Sequence, residues 1–287
     1  GYQSGKGGTT SAPFSSGTNN VAVGTYTFIS HTTAGETTAI GYNAGNAITT
    51  GIRNVTVGAY SGDALTTGAR NVAIGVHTLG AATTANLNVA IGQGAMESAA
   101  ASVAFEGAIA IGKDALTALN SADADGTIAI GYQAGKAITS GRYSTFVGYA
   151  AGYSSDTNDG NTFIGYLAGY EADASTVVAG QNTYIGAFAG RFLDDGTDNV
   201  AIGYDAMASN SDSAANAVNY SIAIGRNAMA SSDSNQGTIA IGYYAGDHAS
   251  ADVDNAVIIG REAGRGAMTS GADGTVVIGY NAGNALT

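Results

Sequence analysis

The sequence predicts an all-β fold, a repetitive parallel β-solenoid or β-roll, and three observations predict it. The tetrapeptide β-branched, small, β-branched, glycine recurs fifteen times, with its glycine at 24, 41, 58, 75, 92, 112, 131, 148, 165, 186, 203, 225, 242, 260 and 279. Eight of the fourteen intervals are 17 residues and the longest is 22, so the unit is a 17-residue coil with insertions confined to one part of it. Glycine supplies 44 of the 287 residues against a single proline, about twice its usual share. Self-similarity at a short fixed period along a whole chain marks a stacked repeat.

Each part of the unit has a physical reading. The residue before the anchor glycine is Val or Ile in all fifteen copies, and Val, Ile or Thr stands two residues earlier on the same strand face. Alternate β-branched residues make a strand, and the glycine that closes it supplies a backbone angle other residues resist. The residue between them is Ala in nine copies and Thr56, Phe146, Phe163, Tyr184, Ile258 or Val277 in the rest. The strand is therefore apolar on both faces. One face can point into its own coil, but so small a coil cannot bury the other, so a second layer is needed, most simply another copy of the chain.

The strand opens on Asn in seven copies, Asn20, Asn54, Asn71, Asn88, Asn161, Asn182 and Asn199, and on Thr or Ser in six more. In coils stacked in register at about 4.8 Å these side chains form an amide and hydroxyl ladder. Beyond the anchor the third residue is always small. Bulk then falls either at the fourth (Leu79, Met96, Leu116, Met207, Met229) or at the seventh after a glycine fourth (Ile48, Leu65, Ile138, Leu286), as if one shared gap were being filled. Phe146, Phe163 and Tyr184 in neighbouring coils predict an aromatic-filled interior between residues 143 and 190. Gly1, with Tyr2, Ser4 and Gly5, matches the stretch after an anchor and reads as a sixteenth copy entered midway. The expectation is one repetitive region, 1–287, of about 16 coils of 17–22 residues, cut from a longer fibre protein. A helical repeat would not tolerate glycine at the centre of every unit. The hexapeptide left-handed helix, with three similar faces per turn, is the runner-up architecture.

Composition narrows the function. With no Cys, there is no disulfide scaffold, thiolate metal site or cysteine nucleophile. A formal charge of −12 argues against nucleic acid and anionic membranes as partners. No apolar run approaches the roughly 20 residues of a membrane span. The charge is uneven, with 7 acids and 6 bases in residues 1–143 and 15 acids and 4 bases in 144–287.

The motif NVAIG, at Asn71–Gly75, Asn88–Gly92 and Asn199–Gly203, resembles the head repeats of YadA-like trimeric autotransporter adhesins. The fuller form, from Thr38 through Gly41, Tyr42, Ala44 and Gly45 to Thr49, Thr50 and Gly51, is more similar to repeats of bacteriophage tail fibres. The resemblance implies a left-handed parallel β-roll and a homotrimer, intertwined or side by side. It also implies an extracellular role, on a virion tail fibre or a cell-surface appendage, as a structural and adhesive segment. Such a segment gives rigid reach and displays loops to a host glycan or protein receptor. A bacterial adhesin head is the alternative reading.

Candidate sites are sparse. Eight of the 16 tyrosines directly follow an anchor glycine, and stacking would align neighbours such as Tyr132, Tyr149 and Tyr166 into a surface ridge that could hold a sugar face or simply shield the turn. His31, His77 and His248 fall at unrelated positions and read as residues of solvent-exposed turns. The acids cluster in inserted or turn segments at Asp123 and Asp125, Asp156 and Asp159, Asp194, Asp195 and Asp198, and Asp252 and Asp254. They match no calcium-loop pattern, so no metal and no cofactor are expected. Paired carboxylates keep a fibre-borne glycan depolymerase as a further alternative, but the expectation is a protein without enzymatic activity. An ice-binding solenoid would need a longer Thr array than the pairs Thr49–Thr50 and Thr66–Thr67 provide.

Overall fold

The computed structural model describes residues 1–7, 16–99, 104–120, 125–154, 159–171, 180–193, 196–209, 218–231, 234–247, 253–266, 268 and 270–284. Contacts gather the chain into two compact units, Gly1–Tyr143 and Ser144–Thr287. The first carries β1 (Val21–Val23), β2 (Thr38–Ile40), β3 (Val55–Val57), β4 (Val72–Ile74), β5 (Val89–Ile91), β6 (Ile109–Ile111) and β7 (Ile128–Ile130), each paired in parallel with the next. The second carries β8 (Thr145–Val147), β9 (Thr162–Ile164), β10 (Thr183–Ile185), β11 (Val200–Ile202), β12 (Ile222–Ile224), β13 (Ile239–Ile241), β14 (Val257–Ile259) and β15 (Val276–Ile278), paired in the same way. Each unit is thus a parallel β-solenoid with one three-residue strand per coil. No described helix is long and apolar enough to cross a membrane.

Insertions leave the register untouched. Val200 faces Ile222 across a 22-residue interval just as Val72 faces Val89 across 17. In the sequence the extra residues fall between one turn and the next strand. At the N-terminal end Gly1–Gly5 stack on the first full coil in the repeat's own pattern, with the Tyr26 N–H donating to the Tyr2 carbonyl at 3.0 Å and the Gly5 N–H to the Thr27 carbonyl at 2.9 Å.

The faces of the strand divide by size. The middle residue points into the coil and is buried, whether Ala73 or Phe163, while the β-branched residues on either side point outward and stay partly exposed. The anchor glycine explains why coils lie so close. Its φ lies between 127° and 146° in all fifteen copies, and a Cβ on Gly75 would sit 2.7 Å from the Gly92 carbonyl oxygen of the next coil. No L side chain fits either condition.

Two turn positions beyond the anchor, the second and the fourth, also take positive φ, but non-glycine residues occupy them freely. At the fourth, Leu79, Met96, Leu116, Met207 and Met229 are fully buried with φ of 48–54°. None is β-branched, because a branched Cβ is hardest to hold in the left-handed region. Where glycine stands there instead, the seventh residue fills the same space: a Cβ on Gly45 would meet Ile48 Cδ1 at 2.9 Å, and one on Gly62 would meet Leu65 Cδ1 at 3.0 Å. Ile48, Leu65 and Ile138 are buried accordingly, and Leu286 lies outside the described residues.

The aromatic interior is present. Phe146 and Phe163 pack with ring centroids 5.4 Å apart, and Phe163 stacks on Tyr184 at 4.8 Å, all three fully buried. Gly152, Gly169 and Gly190, the fourth residues of these coils, each lie flat against the ring of their own strand, where a side chain would overlap it.

The anchor and the turn should respond differently to substitution. Gly75→Ala is expected to destabilise by about 2–5 kcal/mol, through an unfavourable φ and a backbone clash, and to lower the urea midpoint. Asn43→Gly, at a left-handed position that needs no special residue, is expected to stay within about 1 kcal/mol of the parent.

Candidate functional site

The strand-opening side chains form a hydrogen-bonded column inside each unit, interrupted where alanine opens the strand, at Ala108 and Ala256. Asn71 Nδ2 donates to the Ala85 carbonyl at 2.7 Å, closing its own coil, and to Asn54 Oδ1 at 3.1 Å. Asn71 Oδ1 accepts from the Asn88 backbone N–H at 3.1 Å and from Asn88 Nδ2 at 3.2 Å, joining the next coil. Asn54 Nδ2 closes on the Gly68 carbonyl at 2.8 Å, and Asn88 Oδ1 accepts from the Ala108 N–H at 2.8 Å. In the second unit Asn161 Oδ1 accepts from the Asn182 N–H at 2.9 Å, Asn182 Oδ1 from the Asn199 N–H at 3.0 Å, and Asn199 Oδ1 from the Ser221 N–H at 3.0 Å. Hydroxyls can substitute: Thr127 Oγ1 donates to the Gly141 carbonyl at 2.8 Å and Thr238 Oγ1 to the Val253 carbonyl at 2.6 Å. An amide serves best, because its donor and acceptor sit on one rigid group; both are used at Asn54, Asn71, Asn88, Asn182 and Asn199, whereas Asn161 Nδ2 finds no partner among the described residues.

The outer surface of the turn carries the aromatic residues. Tyr149 and Tyr166 stack at 5.2 Å, and the column runs on edge-to-face through Phe188 at 5.3 Å and Tyr204 at 5.6 Å. Tyr132 belongs to the first unit, with the Lys113 ammonium 5.9 Å from its ring centre. A second run there passes from Tyr2 through Tyr26, Tyr42 and Tyr60 to His77, at 5.6, 6.1, 5.3 and 4.9 Å.

Tyr26, Tyr60, His77 and Phe188 are not directly after an anchor glycine; His77 is the exposed turn residue the sequence predicts, but its place in a ring column, and that of the other three, was not foreseen. The signal was there: each is the second residue after its anchor, in a coil whose first residue is Thr25, Ala59, Val76 or Ala187. Coils with neither arrangement include three with a basic first residue, and Lys113, Arg226 and Arg261 lie over Tyr132, Tyr204 and Tyr243 at 5.9, 5.3 and 5.7 Å. Ring–ring and cation–ring contacts therefore share one line of positions.

The remaining candidates resolve into structural roles. His31 is buried, contrary to its reading as an exposed turn residue: its ring stacks on Phe28 at 4.4 Å and Nδ1 lies 3.0 Å from the Phe28 carbonyl. Phe28 occupies the inward fourth position, and the imidazole covers it. His77 is exposed on the ridge, and His248 lies outside the described residues. Asp125 Oδ1 accepts the Glu106 N–H at 2.7 Å and Asp254 Oδ1 the Gln236 N–H at 2.8 Å, so these carboxylates tie one coil to the next. Asp159 and Asp198 line an open groove with Gln181, whereas Asp123, Asp156, Asp194, Asp195 and Asp252 lie outside the described residues. Among the described residues no three His, Asp or Glu side chains converge as metal ligands.

Tyr184 is one of the exceptions to polar satisfaction in the core, with Thr56 Oγ1 and Asn161 Nδ2. Burial pushes its hydroxyl well above the ordinary phenol range, and the neighbouring Asn199 side chain pulls it back only in part. Asn199 has little to offer, because Nδ2 is committed to the Val218 carbonyl at 2.6 Å and Oδ1 to Ser221. Among the described residues the hydroxyl has no hydrogen-bond partner. Tyr184→Phe should therefore be neutral or stabilising by up to about 1 kcal/mol, whereas Asn71→Ala, which strands a buried carbonyl and a buried N–H, should cost about 2–5 kcal/mol. Urea midpoints of the two variants check both signs.

Comparison with known proteins adds no family: no protein-family model matches the sequence, and neither a curated protein nor a solved structure does.

Proposed function

We propose that the chain is a structural and adhesive fibre segment, a homotrimer outside the cell whose coils give rigid reach and whose turns face a receptor on a host surface. One observation carries this reading. Every described strand turns β-branched residues outward, and they remain partly exposed, so each unit presents an unbroken apolar stripe. Ile40, Ile74, Ile164 and Ile185 are each 37–38% exposed, and at β15 Val276 and Ile278 reach 65%. Scattered surface apolar residues are ordinary, but a stripe repeated at every coil is the kind of surface that a partner covers. A second and third copy would meet it with the same repeat, coil against coil, around a shared axis.

The resemblance of the NVAIG motif to trimeric adhesin heads and phage tail fibres points to the same assembly and to an extracellular place of work. The ridge of rings and basic side chains, on a different part of the coil from the apolar stripe, would stay outward in such an assembly. Rings with a polar edge suit a glycan or protein receptor. The proposal is for binding rather than turnover.

Equilibrium sedimentation is expected to give about three times the 28.2 kDa chain mass. Ile74→Lys combined with Ile164→Lys, which place charge on the stripe without touching the interior, should lower the assembly to smaller species. A parent chain that sediments as a 28.2 kDa monomer would contradict the proposal.

A further inference from the structure

In the turn, the second and fifth residues after the anchor are neighbours, and in several coils they satisfy each other. Asn46 Nδ2 donates to Asn43 Oδ1 at 3.1 Å, Asn284 Nδ2 donates to Asn281 Oδ1 at 3.2 Å, and Arg265 pairs with Glu262 at 3.8 Å. Two successive coils of the second unit break this rule. After Gly203 the pair is Asp205 and Ala208, and after Gly225 it is Asn227 and Ala230. Each keeps its polar second residue and loses the partner.

The consequence is a recess. Replacing two long fifth residues by alanine leaves a cavity of about 190 Å³, floored by Ala208 and Ala230 and walled by Asp205 and Asn227. Arg191 of the preceding coil closes one end, and Tyr244 and Asp247 of the following coil close the other. The flanking coils hold this frame rigid. The Arg191 guanidinium lies 4.8 Å from the ring centres of both Phe188 and Phe192, and Arg265 lies 4.2 Å over Tyr244. Asp205 Oδ1, Asn227 Oδ1 and Arg191 Nε are shielded from solvent and have no hydrogen-bond partner among the described residues. Buried polar atoms without partners are costly, and three of them on residues that line one cavity ask for a ligand that both donates and accepts.

The chemistry of the wall selects the class. A guanidinium at one end disfavours a metal cation, and the Asp205 carboxylate disfavours an anion, while Asp247 is already paired with Arg265 at 3.9 Å. A neutral polyol satisfies both. Its hydroxyls donate to Asp205 and Asn227 and accept from Arg191. The two acceptors sit on adjacent coils, about 4.8 Å apart along the stack, a spacing that hydroxyls of one sugar ring can bridge.

We propose that this recess binds a single sugar unit of a neutral cell-surface saccharide. The proposal rests on the receptor-facing reading of the fibre and names the part of it that touches glycan.

Saturation-transfer NMR on the full chain, with the methyl glycosides of glucose, galactose, mannose and N-acetylglucosamine as probes, tests it. At least one glycoside should receive saturation, and its binding should weaken roughly tenfold or more in Asp205→Asn and in Arg191→Gln. Asp205→Asn keeps the size and the left-handed backbone tolerance of the parent, so it should fold if either variant does. Asn43→Ala, the equivalent position in a coil without the recess, should bind as the parent does. No transfer to any of the four glycosides, or transfer that survives both recess variants, overturns the proposal. So does a titration in which calcium chloride shifts the Asp205 and Asn227 signals while no glycoside does. Sedimentation of the same samples separates the two readings: a trimer without saturation transfer removes the recess and leaves the fibre, and a monomer with transfer does the reverse.

Discussion

The structure depends on how closely one coil can approach the next, and the anchor glycine sets that distance. At thirteen of the fifteen anchors the carbonyl of the following coil's anchor stands where a Cβ would be, so the contact admits glycine alone. From this approach the parallel pairing follows, then the exact stacking of strand on strand, and then the small interior that accepts alanine at most strand centres. A small interior leaves the flanking Val and Ile no place but the outside. The feature that makes the coil possible therefore also creates the apolar stripe that asks for a partner.

Within that frame the chain meets each local requirement in more than one way. The interior gap is filled from the strand by Phe or Tyr, from the fourth residue by Leu or Met, or from the seventh by Ile or Leu. The ladder runs on Asn with Thr and Ser as substitutes, and the outer line of the turn alternates aromatic first residues, aromatic second residues and basic side chains. Since each coil contacts chiefly its neighbours, such exchanges need only local compensation. Functional departures then show as places where the compensation is missing, which is how the recess beside Asp205 and Asn227 stands out from the coils around it.

Much of the fold was legible because its constraints are local. Val or Ile before every anchor glycine announces a strand ending in a turn, and Phe146, Phe163 and Tyr184 at the strand centre announce an aromatic interior. In the coils with Ala at the strand centre the pattern alone did not say which face turns inward, because both are apolar. That choice follows from volume, which periodicity does not carry. The ladder residues could be named but not their bonding, since the carbonyl that closes each coil lies well downstream and moves with the insertions. His31 was misread because burial there comes from a ring stacked on Phe28 and not from any repeat position. The recess was invisible until the second and fifth residues of the turn were known to touch. After that, Ala208 and Ala230 could be read as missing partners.

Amide hydrogen exchange followed residue by residue is the most direct test of the central claim, that register is held by coil-to-coil contact at the anchor glycine and the ladder. The anchor N–H donates to the carbonyl just before the anchor of the preceding coil, as Gly58 does to Ile40 and Gly225 to Ile202, both at 2.8 Å. The account predicts that anchor-glycine amides and the amides held by Asn54, Asn71, Asn88, Asn161, Asn182 and Asn199 exchange as slowly as those of the strand centres, in coils of 17 residues and in longer ones alike. Anchor and ladder amides that exchange at the rate of exposed turns, beside protected strands, would contradict it.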